Sequence, residues 1–583
     1  MELRYTDEKA VLILVALLKA NGIKRVIVSP GTTNFTFVGS IQHDDYFQLY
    51  SCVDERSAAY MACGMATETG EPIVITCTGA TAPRDYLPGL TEAYYRKLPV
   101  LAVCGHRGMS AIGHLFDQQL DRRNEPADVA NTQVWVPFVK DKEDEQYCYN
   151  EITKAILALS KNGGGPAMIN LCTHYSQNMS VQDLPVLHKV DYYSAYDEMP
   201  ELPTGRIAIA LGSHKKFTKE ETDIIDAFCA SHDAIVICDH TSGFYGKYAV
   251  HSGLIFGQEQ PSDLLGVDLC ISAGEISGDY MGVFRVWSNA AWRVGEDGEF
   301  RNKTQNVCKV FQMSLAHFCK HYVLEGSKKD DYLNDCKEEY KKIYSLIPEL
   351  PFSNIWIAQK LSPYIPQGAS VYFGILNSLR SWNLFELPEK VDSMSNVGGF
   401  GIDGILSSAV GRSISNPQRL TYCVLGDLAF FYDMNSLGNR HIGNNLRVLL
   451  INNGLGDEFR IYHNPTGFLK EEVRPYIAAE GHYGHQSKSL VKLYAESLGY
   501  KYLSASTKEE FLAHMNDFVE SAVSESMIFE VFISPEDDTD ALETMRHIIP
   551  VSQNPISLKK KIKRAIKSAI GEEKMEAIHT LLK

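Results

Sequence analysis

Tyr422-Cys423-Val424-Leu425-Gly426-Asp427-Leu428-Ala429 opens a helical stretch through Gly438, and Leu446-Arg447-Val448-Leu449-Leu450-Ile451-Asn452-Asn453-Gly454 follows. Two apolar runs with a helix between them read as a βαβ unit, which makes the strands neighbours in a parallel sheet. Asp427 and Asn453 then stand at adjacent carboxyl ends, where open α/β sheets bind ligands. Both are hard oxygen donors, suited to a Mg²⁺ that bridges phosphates. Gly426 lets backbone approach closely, and the helix after it turns free N–H groups toward an anion.

Outward from this unit the alternation continues in both directions. The chain opens with an amphipathic helix at about 7–20, closed by Asn21-Gly22, and a β-branched run from Lys24 to Ser29 stopped by Pro30-Gly31. A helix from about Glu55 to Thr69, a strand Ile73–Thr78, a helix Tyr86–Arg96 and strands Val100–Cys104 and Ala167–Cys172 follow. A polar linker covers about 180–203, and a second break falls at Ile347-Pro348-Glu349-Leu350-Pro351. The expected fold is α/β, with three doubly wound parallel-sheet domains over 1–182, 200–346 and 352–545 and a basic amphipathic tail over 556–583.

Size and charge agree with several soluble domains. A chain of 583 residues suggests roughly three or four domains by length alone. Apolar content of 45% and charged content of 22% exclude a disordered or fibrous chain. The net charge of −16 repels nucleic acid, so no such partner is expected. Thirteen cysteines without a C-x-x-C pair read as reduced, mostly buried thiols of a cytoplasmic protein. The apolar run Val11–Leu18 is too short for a membrane span.

The Gly426-Asp427 and Asn452-Asn453 pattern resembles the diphosphate-binding signature of thiamine-diphosphate enzymes of the acetolactate synthase and pyruvate decarboxylase type. Gly401-Ile402-Asp403-Gly404-Ile405-Leu406-Ser407 and Tyr432-Asp433-Met434-Asn435-Ser436-Leu437 look like one branch of it, the menaquinone-pathway 2-succinyl-5-enolpyruvyl-6-hydroxy-3-cyclohexene-1-carboxylate synthases. In that branch Leu428 takes the place of a third-position glycine. The resemblance implies pyrimidine-binding, central and diphosphate-binding domains, with thiamine diphosphate and Mg²⁺ as cofactors. It implies metal ligation by Asp427, Asn453 and the Leu455 carbonyl, and cofactor contacts from Gly401, Ile402, Gly426, Leu428 and Ala429. Ile402 would be the apolar residue that bends the cofactor.

Val53-Asp54-Glu55-Arg56, continued by the small residues Ala58-Ala59 and Ala62-Cys63-Gly64, is similar to the helix that bears the family's catalytic glutamate. By that likeness Glu55 is the catalytic residue, bonded to the pyrimidine nitrogen and favouring the imino tautomer that acts as internal base. Thr78-Gly79-Ala80-Thr81 and Gly164-Gly165-Pro166 look like further family blocks. Family architecture implies a homodimer or dimer of dimers with each site between chains.

The substrate side departs from the branch. Where its members carry arginines against the carboxylates of isochorismate, this chain has Thr33, in Pro30-Gly31-Thr32-Thr33, and Val397, in Ser395-Asn396-Val397-Gly398. Thr32, Arg107, Gln118, Asn377 and Arg380 remain as substrate candidates, with His106, His114 and His251 as candidate proton donors. The expected reaction is decarboxylation of a 2-oxo acid with transfer of the acyl unit to an acceptor. A plain decarboxylase releasing an aldehyde and a silent scaffold of the same fold stay open. Cys238-Asp239-His240-Thr241-Ser242-Gly243 has no readable purpose. The tail, with Ile562, Ala565, Ile566, Ala569 and Ile570 on one basic-edged face, suits a membrane surface, a partner or the protein's own acidic body.

Overall fold

A computed structural model describes residues 3–278, 282–326, 328–461, 464–482 and 486–550. The expected tail helix over 556–583 lies outside the described residues. The protein is α/β, with its strands in three parallel sheets. It divides into two compact units, Met1–Pro200 with Ala291–Ser314, and Glu201–Ala290 with the chain from Leu315 on.

In the first unit β1 (Arg25–Val28), β2 (Gln48–Ser51), β3 (Ile73–Cys77), β4 (Val100–His106), β5 (Thr132–Val136) and β6 (Ala167–Cys172) stand in the order β2-β1-β3-β4-β6-β5. Every residue of β3, β4 and β6 is buried, as expected of parallel strands covered on both faces. Each fully buried Ile or Val there contributes roughly 1.5–3 kcal/mol of apolar burial. Strand β7 (Asp191–Ser194) lies inside the stretch expected to be linker.

The second unit holds β8 (Ile207–Leu211), β9 (Ile235–Cys238), β10 (Ala249–His251) and β11 (Gly266–Ala273) in the order β10-β9-β8-β11. Two further strands follow, β12 (Trp287–Gly295), most of which belongs to the first unit, and β13 (Val307–Gln312), which lies in the first unit and pairs there in parallel with β7. The second unit then continues through β14 (Ser370–Phe373), β15 (Asp392–Ser395), β16 (Thr421–Gly426), β17 (Leu446–Asn452), β18 (Lys501–Ala505) and β19 (Met527–Phe532). Their order, β15-β14-β16-β17-β19-β18, repeats the order of the first unit's sheet strand for strand. In both sheets the winding reverses beside the first strand, between β1 and β3 and between β14 and β16, and ligands bind outside the carboxyl ends at such reversals. No described helix is long and apolar enough to cross a membrane.

Candidate active site

Asp427 is fixed by the strand it follows. The β16–β17 register ends at Gly426 opposite Ile451, so Asp427 and Asn453 leave the sheet side by side. The carboxylate of Asp427 accepts two backbone hydrogen bonds, from Leu428 N–H at 2.8 Å and from Gly454 N–H at 2.7 Å. Gly454 donates from the left-handed region, φ 81°, which a glycine adopts without strain. Asn453 Oδ1 accepts from Leu455 N–H at 3.3 Å, and Leu455 is buried against Val473 and Ala478. Behind this loop Gln486 Nε2 donates to the carbonyls of Asn452 and Ile533, and Asn452 Nδ2 donates to the buried Glu530.

Asp427 is 5% exposed, and burial pushes its carboxyl up to about 7. Among the described residues no cationic side chain pairs with it. A buried carboxylate with two N–H donors and no cation is costly by itself and suits a divalent ion that compensates its charge. The donor set of Asp427, Asn453 and a loop carbonyl therefore fits Mg²⁺. Gly426, Leu428 and Ala429 line the turn, with Ala429 buried. Ile402 is half-buried against the core of this sheet, just before helix Ile405–Ser415, and Gly401 is exposed.

Glu55 is the first residue of helix Glu55–Thr69, capped by Asp54, whose side chain accepts from Ser57 N–H at 2.6 Å. The small face of the helix does what its residues suggest. A Cβ at Gly89 would lie 2.4 Å from the Ala59 Cβ, so helix Leu87–Arg96 packs almost backbone to backbone on it. Glu55 is half-buried, and Val53 two residues before it and Tyr60 and Met61 on its helix are exposed, Val53 to 76%.

The substrate candidates fall in two groups, one in each unit. In the first, Thr32 is exposed while Thr33 is buried, its hydroxyl 2.9 Å from that of Thr78 and accepting from Gly79 N–H at 2.7 Å. Arg107 makes a two-pronged ion pair with Asp117 at 2.8 and 2.9 Å and lies over the Tyr175 ring. Gln118 is exposed with φ 56°, and His114 is exposed too. In the second unit Asn377 Nδ2 donates to Asp538 at 2.7 Å, and Arg380 pairs with Glu458 at 2.7 Å. Val397 is a core residue there.

Two polar clusters were not singled out from the sequence. Gln119, rather than Gln118, is buried, its amide 2.5 Å from His106 Nε2. His106 Nδ1 accepts from Gly108 N–H at 2.8 Å, and Gln119 Nε2 also donates to Gly108 O at 3.5 Å. Burial, with the Arg122 guanidinium nearby, holds this ring down to about 4. Asp457 and Asp538 are buried near Arg380; burial raises both carboxyls, and the Asp538 charge adds to the effect on Asp457. A run of adjacent glutamines gives no phase from which to tell the inward one, and the two aspartates lie far apart in the chain.

Residues 9–124 match the N-terminal TPP binding domain of the thiamine pyrophosphate enzymes. Over those residues the chain carries the N-terminal domain of the thiamine pyrophosphate enzymes. Similar proteins extend the likeness across its length. The 2-succinyl-5-enolpyruvyl-6-hydroxy-3-cyclohexene-1-carboxylate synthase of Phocaeicola vulgatus is 28% identical, over 93% of this chain and 99% of its own. Its Bacteroides fragilis counterpart is 27% identical over the same shares, and that of Christiangramia forsetii is 26% identical over 89% and 95%. The first unit's sheet falls within and beyond the matched segment, and the second unit's sheet carries Asp427 and Asn453.

Proposed function

We propose that the protein decarboxylates a 2-oxo acid, with thiamine diphosphate and Mg²⁺, and transfers the acyl unit to an acceptor. The observation that carries this reading is the buried Asp427 carboxylate, uncompensated by a described side-chain cation, beside Asn453 at the adjacent strand end. Asp427, Asn453 and the Leu455 carbonyl would hold the metal and, through it, the diphosphate. Bound thiamine diphosphate supplies the electron sink that such a decarboxylation needs. Glu55 would hold a proton at the cofactor's pyrimidine nitrogen, from a helix that Gly89 and Ala59 lock in place.

A second copy of the chain is the proposed source of the other half of each site. The exposed apolar side chains Val53, Tyr60 and Met61, close to Glu55 in the chain, support burial against such a partner. The acceptor is proposed to differ from isochorismate. Thr33 is spent on an internal hydroxyl pair and Val397 on the core, while Arg107 and Arg380 each face a carboxylate of this chain.

Calorimetric titration of the protein with thiamine diphosphate, with and without Mg²⁺, tests the reading. Tight binding that depends on the metal supports it, and binding that ignores a chelator overturns it. A screen of 2-oxo acids for carbon dioxide release, with and without aldehydes, then separates transferase from plain decarboxylase.

A further inference from the structure

The loop Cys238-Asp239-His240-Thr241-Ser242-Gly243 is built to hold one imidazole. Asp239 is buried; its Oδ1 accepts from Thr241 N–H at 2.6 Å and from the Thr241 hydroxyl at 2.5 Å, and its Oδ2 from the Ser277 hydroxyl at 2.6 Å. Ser242 donates to Leu211 O at 2.7 Å, tying the loop to β8. His240 is thereby presented, buried, to the segment that follows β14. Its Nε2 lies 3.1 Å from Trp382 O and 3.0 Å from Phe385 O. Carbonyls only accept, so Nε2 carries the ring proton and donates to both. Burial keeps this ring down to about 3, hence neutral. Its backbone N–H donates to Asn383 Oδ1 at 3.1 Å, and its carbonyl accepts from the Ser393 hydroxyl at 2.8 Å.

The gripped segment is helix Asn377–Trp382, whose last carbonyl His240 caps. Two glycines close the grip: a Cβ at Gly253 would lie 2.2 Å from Asn383 O, and one at Gly278 would lie 2.4 Å from Leu379 Cδ2. The other end of the helix is strained. Leu376, just before it, has φ 63° and ψ −118°, a conformation that persists only where surrounding contacts over-determine it. That end sits at the carboxyl edge of β14, beside β16, and bears Asn377, with Arg380 in the helix's last turn.

We infer that His240 is a positioning residue: its Nε2 proton anchors the far end of helix Asn377–Trp382 and so sets Asn377 and Arg380 at the edge of the active site. This rests on the proposed function, to which it adds that Arg380, held by Glu458, borders the place of the 2-oxo acid.

The test uses the full chain loaded with Mg²⁺ and thiamine diphosphate. It reads amide hydrogen exchange across residues 374–386, and KM and kcat for whichever of pyruvate, 2-oxobutyrate and 2-oxoglutarate releases carbon dioxide fastest. His240→Leu should raise exchange in that segment at least tenfold and KM at least fivefold, with kcat within twofold. His240→Gln, which keeps an N–H donor, should restore both to within threefold of wild type. Where His240→Leu does not fold, Thr241→Val, which removes one hydroxyl donor from the Asp239 carboxylate that seats the loop, serves in its place and should raise exchange in the same segment. Unchanged exchange in His240→Leu, or no rescue by His240→Gln, overturns the inference. Arg380→Met separates the two readings. If it leaves KM unchanged, the substrate role of Arg380 fails; if it raises KM while His240→Leu does not, the positioning role fails.

Discussion

Gly454 donates its backbone N–H to Asp427 Oδ2 at 2.7 Å, joining the ends of β16 and β17 across the opening of the sheet. The bond fixes the carboxylate against the loop that carries Asn453 and Leu455, so the three candidate metal donors move as one body. It also lowers the cost of holding Asp427 inside: two N–H groups offset part of the desolvation, and the proposed metal ion would offset more.

Asp427→Ala should abolish binding of thiamine diphosphate in the presence of Mg²⁺ while leaving the circular dichroism spectrum unchanged. Removing a buried carboxylate that lacks a side-chain partner relieves a cost, so the thermal midpoint should hold or rise. Metal-dependent binding retained within tenfold of wild type, about 1.4 kcal/mol, would remove Asp427 from the ligand set.

Glu55→Gln keeps shape and one hydrogen bond but cannot give up a proton. It should bind cofactor within about tenfold of wild type, because metal and diphosphate contacts dominate affinity. Exchange of the thiazolium C2 proton should fall by at least roughly a hundredfold, the usual loss of a general acid–base group. NMR after acid quench measures this without knowledge of the substrate. Equal exchange in both proteins would discharge Glu55 from the role, and no exchange above free cofactor in wild type would favour a silent scaffold.

Isochorismate with 2-oxoglutarate should be turned over poorly or not at all. Charge-assisted hydrogen bonds contribute roughly 1.5–3 kcal/mol each, so two missing arginines weaken a dicarboxylate by several kcal/mol. Progress curves against an authentic synthase decide it; comparable kcat/KM would mean that other groups hold those carboxylates.

His106 gives a pH prediction. Its folded-state pKa, about 4, lies below the ordinary 6.5, because burial disfavours the charged ring. As pH falls through 6.5 the unfolded chain takes up the proton and the folded chain does not, so stability is lost between about pH 6.5 and 4. The slope for this one group is about 1.4 kcal/mol per pH unit. The thermal midpoint of wild type should therefore drop more from pH 7 to pH 5 than that of His106→Gln. Equal drops would show that the ring titrates normally.

The fold was legible where burial is two-sided. Strands such as β3, β16 and β17 are largely apolar runs, and the ends of β16 and β17 are marked by glycine and by polar residues. Strand β7 was hidden because Asp191, Tyr192, Tyr193 and Ser194 are all half-buried and as polar as the linker around them. Strand β12 was hidden likewise, since Ser288, Asn289 and Arg293 interrupt it. For the site, Asp427, Asn453 and Glu55 announce themselves by position at element ends. Gln119 and His240 do not, because their importance lies in which carbonyl or ring they meet, and those partners are set only by tertiary packing.

The contact between Gly89 and Ala59 has a practical reach beyond this molecule. With no room for even a methyl group between the two helices, the pair works as a fixed gauge on where Glu55 can stand. Any side chain added at position 89 is converted directly into displacement of the neighbouring helix. A search for altered acceptor preference should therefore hold positions 59 and 89 constant and diversify the loops that follow β1, β4 and β14. There a change of side chain stays clear of the helix contact and leaves Glu55 where it stands.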